Sequence, residues 1–162
     1  MSSLVLASHE DDEILWTTFT IIRENADVLI VYPSSEIRRK ESIEAAGVLG
    51  GGHDIFFGWQ DFDVTQDIEE YDKIYAPYSE LHGNKDHNEL ALWALKYIPK
   101  QILTFYLTYQ WPEGKSTWGR EVEIENPSWI QKKLRAMACF QSQIANMSTT
   151  EHFIRGIKEY YA

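Results

Sequence analysis

Short apolar runs alternate along this chain with stretches whose apolar residues recur at helical spacing. Leu4-Val5-Leu6-Ala7 has no helical period and predicts a buried strand, whereas residues 12–23 place Ile14, Leu15, Thr18, Phe19 and Ile22 on one helical stripe. The same reading predicts strands over 28–32, 54–57, 73–76 and 102–107, with helices over 37–49 and 87–97. From 108 to 126 the pattern breaks around Trp111, Pro112, Gly114, Trp118 and Gly119, as a hairpin or lid would. Asn126-Pro127 reads as a cap followed by proline at the first helical position, opening a helix to about Gln143. A last helix is expected over 150–160.

Near-continuous apolar strands alternating with helices predict a mostly parallel sheet covered on both faces. The expected fold is α/β: one doubly wound, Rossmann-like three-layer α/β/α domain over residues 1–162. Ligands of such sheets bind outside the carboxyl ends of the strands. The polar residues that follow the strands are therefore the candidates. They are His9, Asp11 and Asp12 after the first, Pro33-Ser34-Ser35 and Arg38 after the second, Asp61 or Asp63 after the third, and His82 to His87 after the fourth. All lie on one edge of the sheet.

Composition narrows the function. The 162 residues, 44% hydrophobic and 14% aromatic, suit a globular domain with a real core. No run reaches the length of a membrane span, and neither a span nor a signal peptide is expected. Cys139 is the only cysteine, which excludes an intrachain disulfide and a cysteine-built zinc site and makes a reducing cytoplasm the simplest home. Fifteen basic against twenty-five acidic residues give a net charge of −10, which disfavours nucleic acid and favours a neutral or cationic small molecule.

Ser8-His9-Glu10-Asp11-Asp12-Glu13 lies on the first strand-to-helix turn. Residues three apart can face one point there, so His9 and Asp12 can reach one cation while Asp11 points elsewhere. Imidazole nitrogen with carboxylate oxygen suits zinc. The same acidic residues could instead cap a helix and complement its dipole. His87 weighs against that. As a cation it is poorly placed in the first turn of a helix, and as a neutral metal ligand well placed. Asp86 and Glu89 beside it read as a capping box. Two histidines and one carboxylate make a catalytic zinc set with a position left for water. Arg38-Arg39-Lys40 opens the second helix against its dipole, and an arginine over the strand ends could bond substrate hydroxyls or a phosphate. His53 and His152 read as structural or solvent-facing, and Trp59, Trp111 and Trp118 as packing, with Trp111 and Trp118 open to stacking on a sugar.

These residues resemble the GlcNAc-phosphatidylinositol de-N-acetylase superfamily, also called LmbE-like. Its Ala/Pro-His-Pro-Asp-Asp-Glu motif is matched by Ser8 to Glu13, its Arg-x-x-Glu helix by Arg38, Glu41, Ala45, Ala46, Leu49 and Gly50, and its Asp-His pair by Asp86-His87. Asp61 matches an aspartate after the third strand, and Lys133, Ala136, Ser142 and Gln143 match a late Lys-x-x-Ala…Ser-Gln pattern. The resemblance implies a zinc-dependent hydrolase removing an N-acetyl group from an amino sugar such as an N-acetylglucosamine conjugate, with another divalent transition metal as an alternative ion. It implies His9, Asp12 and His87 as metal ligands, Asp11 as general base, and Arg38 and Asp61 as contacts to sugar hydroxyls. Two positions depart from the family pattern. Glu10 stands where proline is usual, and Asn84 stands where many members carry the histidine that stabilises the oxyanion, leaving Asn84 or His82 to supply that donor. The competing expectation is a zinc-containing sugar-binding module without efficient catalysis.

Overall fold

The computed structural model describes residues 1–63, 67–79, 83–108, 119–144 and 158–162. The expected alternation is present. β1 (Ser3–Ala7), α1 (Asp12–Glu24), β2 (Asp27–Ile30), α2 (Glu36–Leu49) and β3 (Ile55–Phe57) come first, followed by β4 (Lys73–Pro77), α3 (Lys85–Tyr97) and β5 (Leu103–Tyr106). β6 (Arg120–Glu121), α4 (Ser128–Ala138), α5 (Gln141–Ile144) and β7 (Tyr160–Tyr161) complete the described elements. The sheet has the order β3-β2-β1-β4-β5-β7-β6. Its first five strands are parallel, and β7 runs antiparallel to both β5 and β6. The chain steps outward from β1 to β3 and returns on the other side of β1 as β4. That reversal is the switch point at which such sheets open a crevice.

The two-residue period of β1 builds both cores. Val5 and Ala7 join a cluster with Trp16 and Phe19 of α1, Ala45 and Leu49 of α2, and Ala136 and Met137 of α4. Leu4 and Leu6 point the other way, onto Leu90 and Ala94 of α3. Every residue of β1 is buried, which explains its unbroken apolar run. No described helix is long and apolar enough to cross a membrane.

One polar device crosses the first core. Lys133 of α4 and Glu159, just before β7, form an ion pair of 2.5 Å with both side chains almost fully enclosed. Lys133 Nζ also donates to the Leu15 carbonyl at 2.8 Å, and the Phe19 amide donates to Glu159 at 2.9–3.0 Å. Leu15 and Phe19 stand four apart on α1, so the pair is clamped onto the helix backbone itself. Burial pulls the Lys133 ammonium down and pushes the Glu159 carboxyl up.

Two expectations are corrected at the C-terminal end. The helix expected to run to Gln143 breaks at Cys139 and Phe140, because Phe140 turns fully into the core and Glu41 of α2 then takes the amide and hydroxyl of Ser142. Tyr160, expected in a closing helix, lies in β7. Glu159 and Tyr161 are buried on either side of a half-buried Tyr160, a strand period of two. Arg120 and Glu121, in the segment expected to be a hairpin or lid, form a short strand paired with β7. Trp111, Trp118 and His152 lie outside the described residues.

At the amino ends of β1 and β4, Glu24 accepts from Ser3, Lys73 and Tyr75. Burial alone would raise its carboxyl pKa, but Lys73 and Ser3 outweigh that and hold it below the ordinary value. A depressed folded-state pKa stabilises above the unfolded value, and the stability is lost as pH falls through the folded one. Glu24→Gln is therefore expected to flatten the acid limb of a stability-against-pH curve below about pH 4.3; identical limbs would contradict the assignment. Lys133→Met strands a buried carboxylate and is expected to cost about 3–5 kcal/mol in urea denaturation. A loss under about 1 kcal/mol would show that the pair carries no such role.

Candidate metal centre

The strand-to-helix turn after β1 is strained. Asp11 has φ of 100°, a left-handed value that non-glycine residues rarely adopt. Several bonds hold it there. Its amide donates to Glu13 Oε2 at 2.8 Å, and its carbonyl accepts from the amides of Ile14 and Leu15. Its carboxylate Oδ1 sits 2.8 Å from Arg38 Nη2. None of these is a side-chain cap of α1, so the acidic turn is not a simple helix cap. Glu13 is buried on the far side and bonded to the Ser42 hydroxyl of α2, and its burial pushes the carboxyl up to about 7.

The twist at Asp11 turns Asp12 back over the strand end. Asp12 Oδ2 accepts from the His9 amide at 2.9 Å and lies 2.9 Å from His87 Nε2 and 3.3 Å from His9 Nδ1. Its other oxygen is 3.3 Å from the indole nitrogen of Trp16, one helical turn on. One ligand atom from each of His9, Asp12 and His87 lies within 4.8 Å of the others. Two imidazole nitrogens and one carboxylate oxygen converging at this range fit a divalent transition metal held by three protein ligands.

Both rings are steadied from behind. His87 Nδ1 is 3.3 Å from Thr108 Oγ1, and His9 Nε2 is 2.7 Å from Asp86 Oδ2. With Nδ1 of His9 turned toward Asp12, its Nε2–H donates to Asp86, the carboxylate–histidine arrangement that fixes tautomer and ring orientation in metal sites. Burial disfavours charge on His9, yet Asp12 and then Asp86 outweigh it and lift the pKa to about 9. Burial likewise opposes charge on Asp12, and the two imidazoles, His87 foremost, pull its pKa far below the carboxylate range. Asp11 goes the other way: burial first, then Asp12, push it well above the ordinary value against the pull of Arg38.

No protein-family model matches the chain, and no curated protein matches it by sequence. Solved structures do share its fold. The conserved protein TT1542 from Thermus thermophilus superposes with a TM-score of 0.71 at 18% identity, over 99% of this chain and 93% of that one. The N,N'-diacetylchitobiose deacetylase from Pyrococcus horikoshii, solved with an inhibitor, gives a TM-score of 0.69 at 18% identity, over 99% of this chain and 82% of that one. At this identity the likeness is one of fold.

The residues singled out in the sequence fall into three groups. His9, Asp11, Asp12, Arg38 and His87 come together at the carboxyl ends of β1 and β4. Of the three cations opening α2, only Arg38 turns to this point, since Arg39 lies over the Phe57 ring and Lys40 pairs with Glu36. Asn84 is the cap of α3, its Oδ1 accepting the Asp86 amide at 2.8 Å, and its side chain is exposed. Asp61 stands on an exposed 3-10 turn, Trp59–Asp61, after β3. His82 lies outside the described residues. The expected capping box is overturned. Asn84 caps α3, which frees Asp86 to hold His9, and Glu89 pairs with Lys85.

Sequence reasoning missed Asp86, Thr108 and Trp16 as partners of the centre. Trp16 had a signal, because an indole four residues after Asp12 on a helix faces it. Asp86→Asn is expected to weaken divalent-metal binding about 10–100-fold in a chelator competition, because it frees the His9 ring while leaving the His9, Asp12 and His87 cluster intact. Unchanged affinity would show that Asp86 does not orient the ring.

Proposed function

We propose that this protein is a zinc-dependent N-deacetylase of the LmbE-like superfamily, acting on a small acetylated amino sugar. The observation that carries the reading is the convergence of His9, Asp12 and His87 with the strained carboxylate of Asp11 beside them. A zinc ion held by these three side chains would lower the pKa of water to about 7 and polarise the acyl carbonyl. His9, Asp12 and His87 stay in place throughout as ligands, oriented by Asp86, Trp16 and Thr108. Asp11 takes the proton of the attacking water at a carboxylate oxygen and then returns it to the leaving amine. Arg38 bonds Asp11 Oδ1 and steadies the carboxylate before it takes the proton and after it returns it. Arg38 and Asp61 are the candidates for sugar hydroxyls. Asn84 can offer its amide nitrogen to the developing oxyanion while its oxygen caps α3, and His82 is the alternative donor.

The fold shared with the Pyrococcus diacetylchitobiose deacetylase supports this reading, as does the acidic surface, which suits a neutral or cationic small molecule better than a polyanion. One observation favours a second reading. Asn84 is an exposed helix cap, and a donor open to water stabilises an oxyanion weakly, as in a sugar-binding module that keeps the metal without efficient turnover.

Zinc-loaded protein is expected to release acetate from N-acetylglucosamine or N,N'-diacetylchitobiose. Asp11→Asn should lower kcat by about 10²–10⁴-fold with zinc content unchanged, the usual contribution of a general base. Sugar binding without acetate would favour the binding module, and turnover undiminished in Asp11→Asn would remove Asp11 from the mechanism.

A further inference from the structure

Glu10 stands inside the turn, between the ligand His9 and the base Asp11, and it is 0% exposed. A buried carboxylate is costly unless its oxygens are bonded. Here both oxygens accept from the Ser34 amide, at 3.0 and 3.1 Å, and one also lies 3.1 Å from the Ser34 hydroxyl. Ser34 belongs to the loop between β2 and α2. Its hydroxyl is in turn 3.4 Å from Arg38 Nη1, while Arg38 Nη2 bonds the Glu10 carbonyl and Asp11 Oδ1. The four residues therefore form a closed circuit: Glu10 to Ser34, Ser34 to Arg38, and Arg38 back to Glu10 and Asp11. The remaining guanidinium donor, Arg38 Nε, is buried with no partner among the described residues. Among those residues, then, this circuit supplies the bonds that aim the guanidinium.

We infer that Glu10 is a positioning residue, whose latch onto Ser34 ties the two loops together and aims the Arg38 guanidinium at Asp11. The inference deepens the proposed deacetylase reading, but its geometric part stands apart from turnover. A glutamine at this position keeps an acceptor for the Ser34 amide and a donor for its hydroxyl; an alanine keeps neither.

The test uses the whole zinc-loaded chain and two readouts. In nitrogen-15 NMR, the Arg38 Nε–H signal is expected to be shifted from free arginine and slow to exchange in the wild type and in Glu10→Gln. In Glu10→Ala it should move to the free position and exchange at least about tenfold faster. With N,N'-diacetylchitobiose as substrate, Glu10→Ala should lose at least about tenfold in kcat, with KM within about twofold and zinc content unchanged, as misplacement of a reacting group predicts. Glu10→Gln should stay within about threefold of wild type. Ser34→Ala, which leaves the turn's own residues intact, should shift the same Arg38 signal and serves if Glu10→Ala does not fold. An Arg38 signal unmoved in Ser34→Ala and in a folded Glu10→Ala would overturn the latch whatever the activity. Absent turnover in the wild type with a moved signal would overturn the deacetylase reading and leave the latch standing.

Discussion

The centre depends on one buried carboxylate shared between two imidazoles. Asp12 is 4% exposed, and a charge in that position is untenable without partners on every side. His9, His87, the His9 amide and the Trp16 indole supply them. They come from three different pieces of backbone: the turn, α3 and the body of α1. Meeting at one oxygen-rich point, they fix where α3 begins relative to β1 and how α1 is rotated. The strain at Asp11 follows, because only a left-handed residue there brings Asp12 back over the strand end.

The rest of the fold holds that arrangement still. The parallel order of β1 and β4 puts the carboxyl end of one beside that of the other, so His9 and the start of α3 become neighbours. Behind α1, the Lys133–Glu159 pair grips the Leu15 carbonyl and the Phe19 amide, fixing the helix on which Asp12 and Trp16 ride. Glu41 ties α2 to α5 through Ser142, and Ser42, the next residue, bonds Glu13. Several positions that carried the family resemblance, Lys133, Glu41 and Ser142 among them, thus bond other parts of the chain and brace the helices around the centre.

The parallel sheet and its main helices were legible in the sequence because β1 is buried on both faces and α1 on one stripe, so burial wrote an apolar period into each. The clustering of His9, Asp12 and His87 was legible as well: acids on a strand-to-helix turn are also explained by capping, but a cationic histidine at a helix N-terminus is not, and His87 on the same sheet edge tipped the reading. Asp86 was not, because Asp followed by Glu three residues on satisfies a local capping rule. Only the three-dimensional approach of β1 to α3 reveals its partner. β7 was misread for a similar reason. A two-residue strand between β5 and β6 has no pattern of its own, and its pairing is set entirely by distant residues. Glu10 looked like a loss of the usual proline, and its bonds to Ser34 come from a loop more than twenty positions away.

In the proposed centre two imidazoles and a carboxylate hold one ion, with the neighbouring Asp11 kept out of the ligand set. Zinc-edge X-ray absorption on purified protein, with metal content measured on the same sample, tests this most directly. One zinc per chain is predicted, with two imidazole nitrogens at about 2.0–2.1 Å and the remaining donors oxygen at about 2.0–2.2 Å. Protein that takes up no zinc, or zinc with a single imidazole or none, would contradict it.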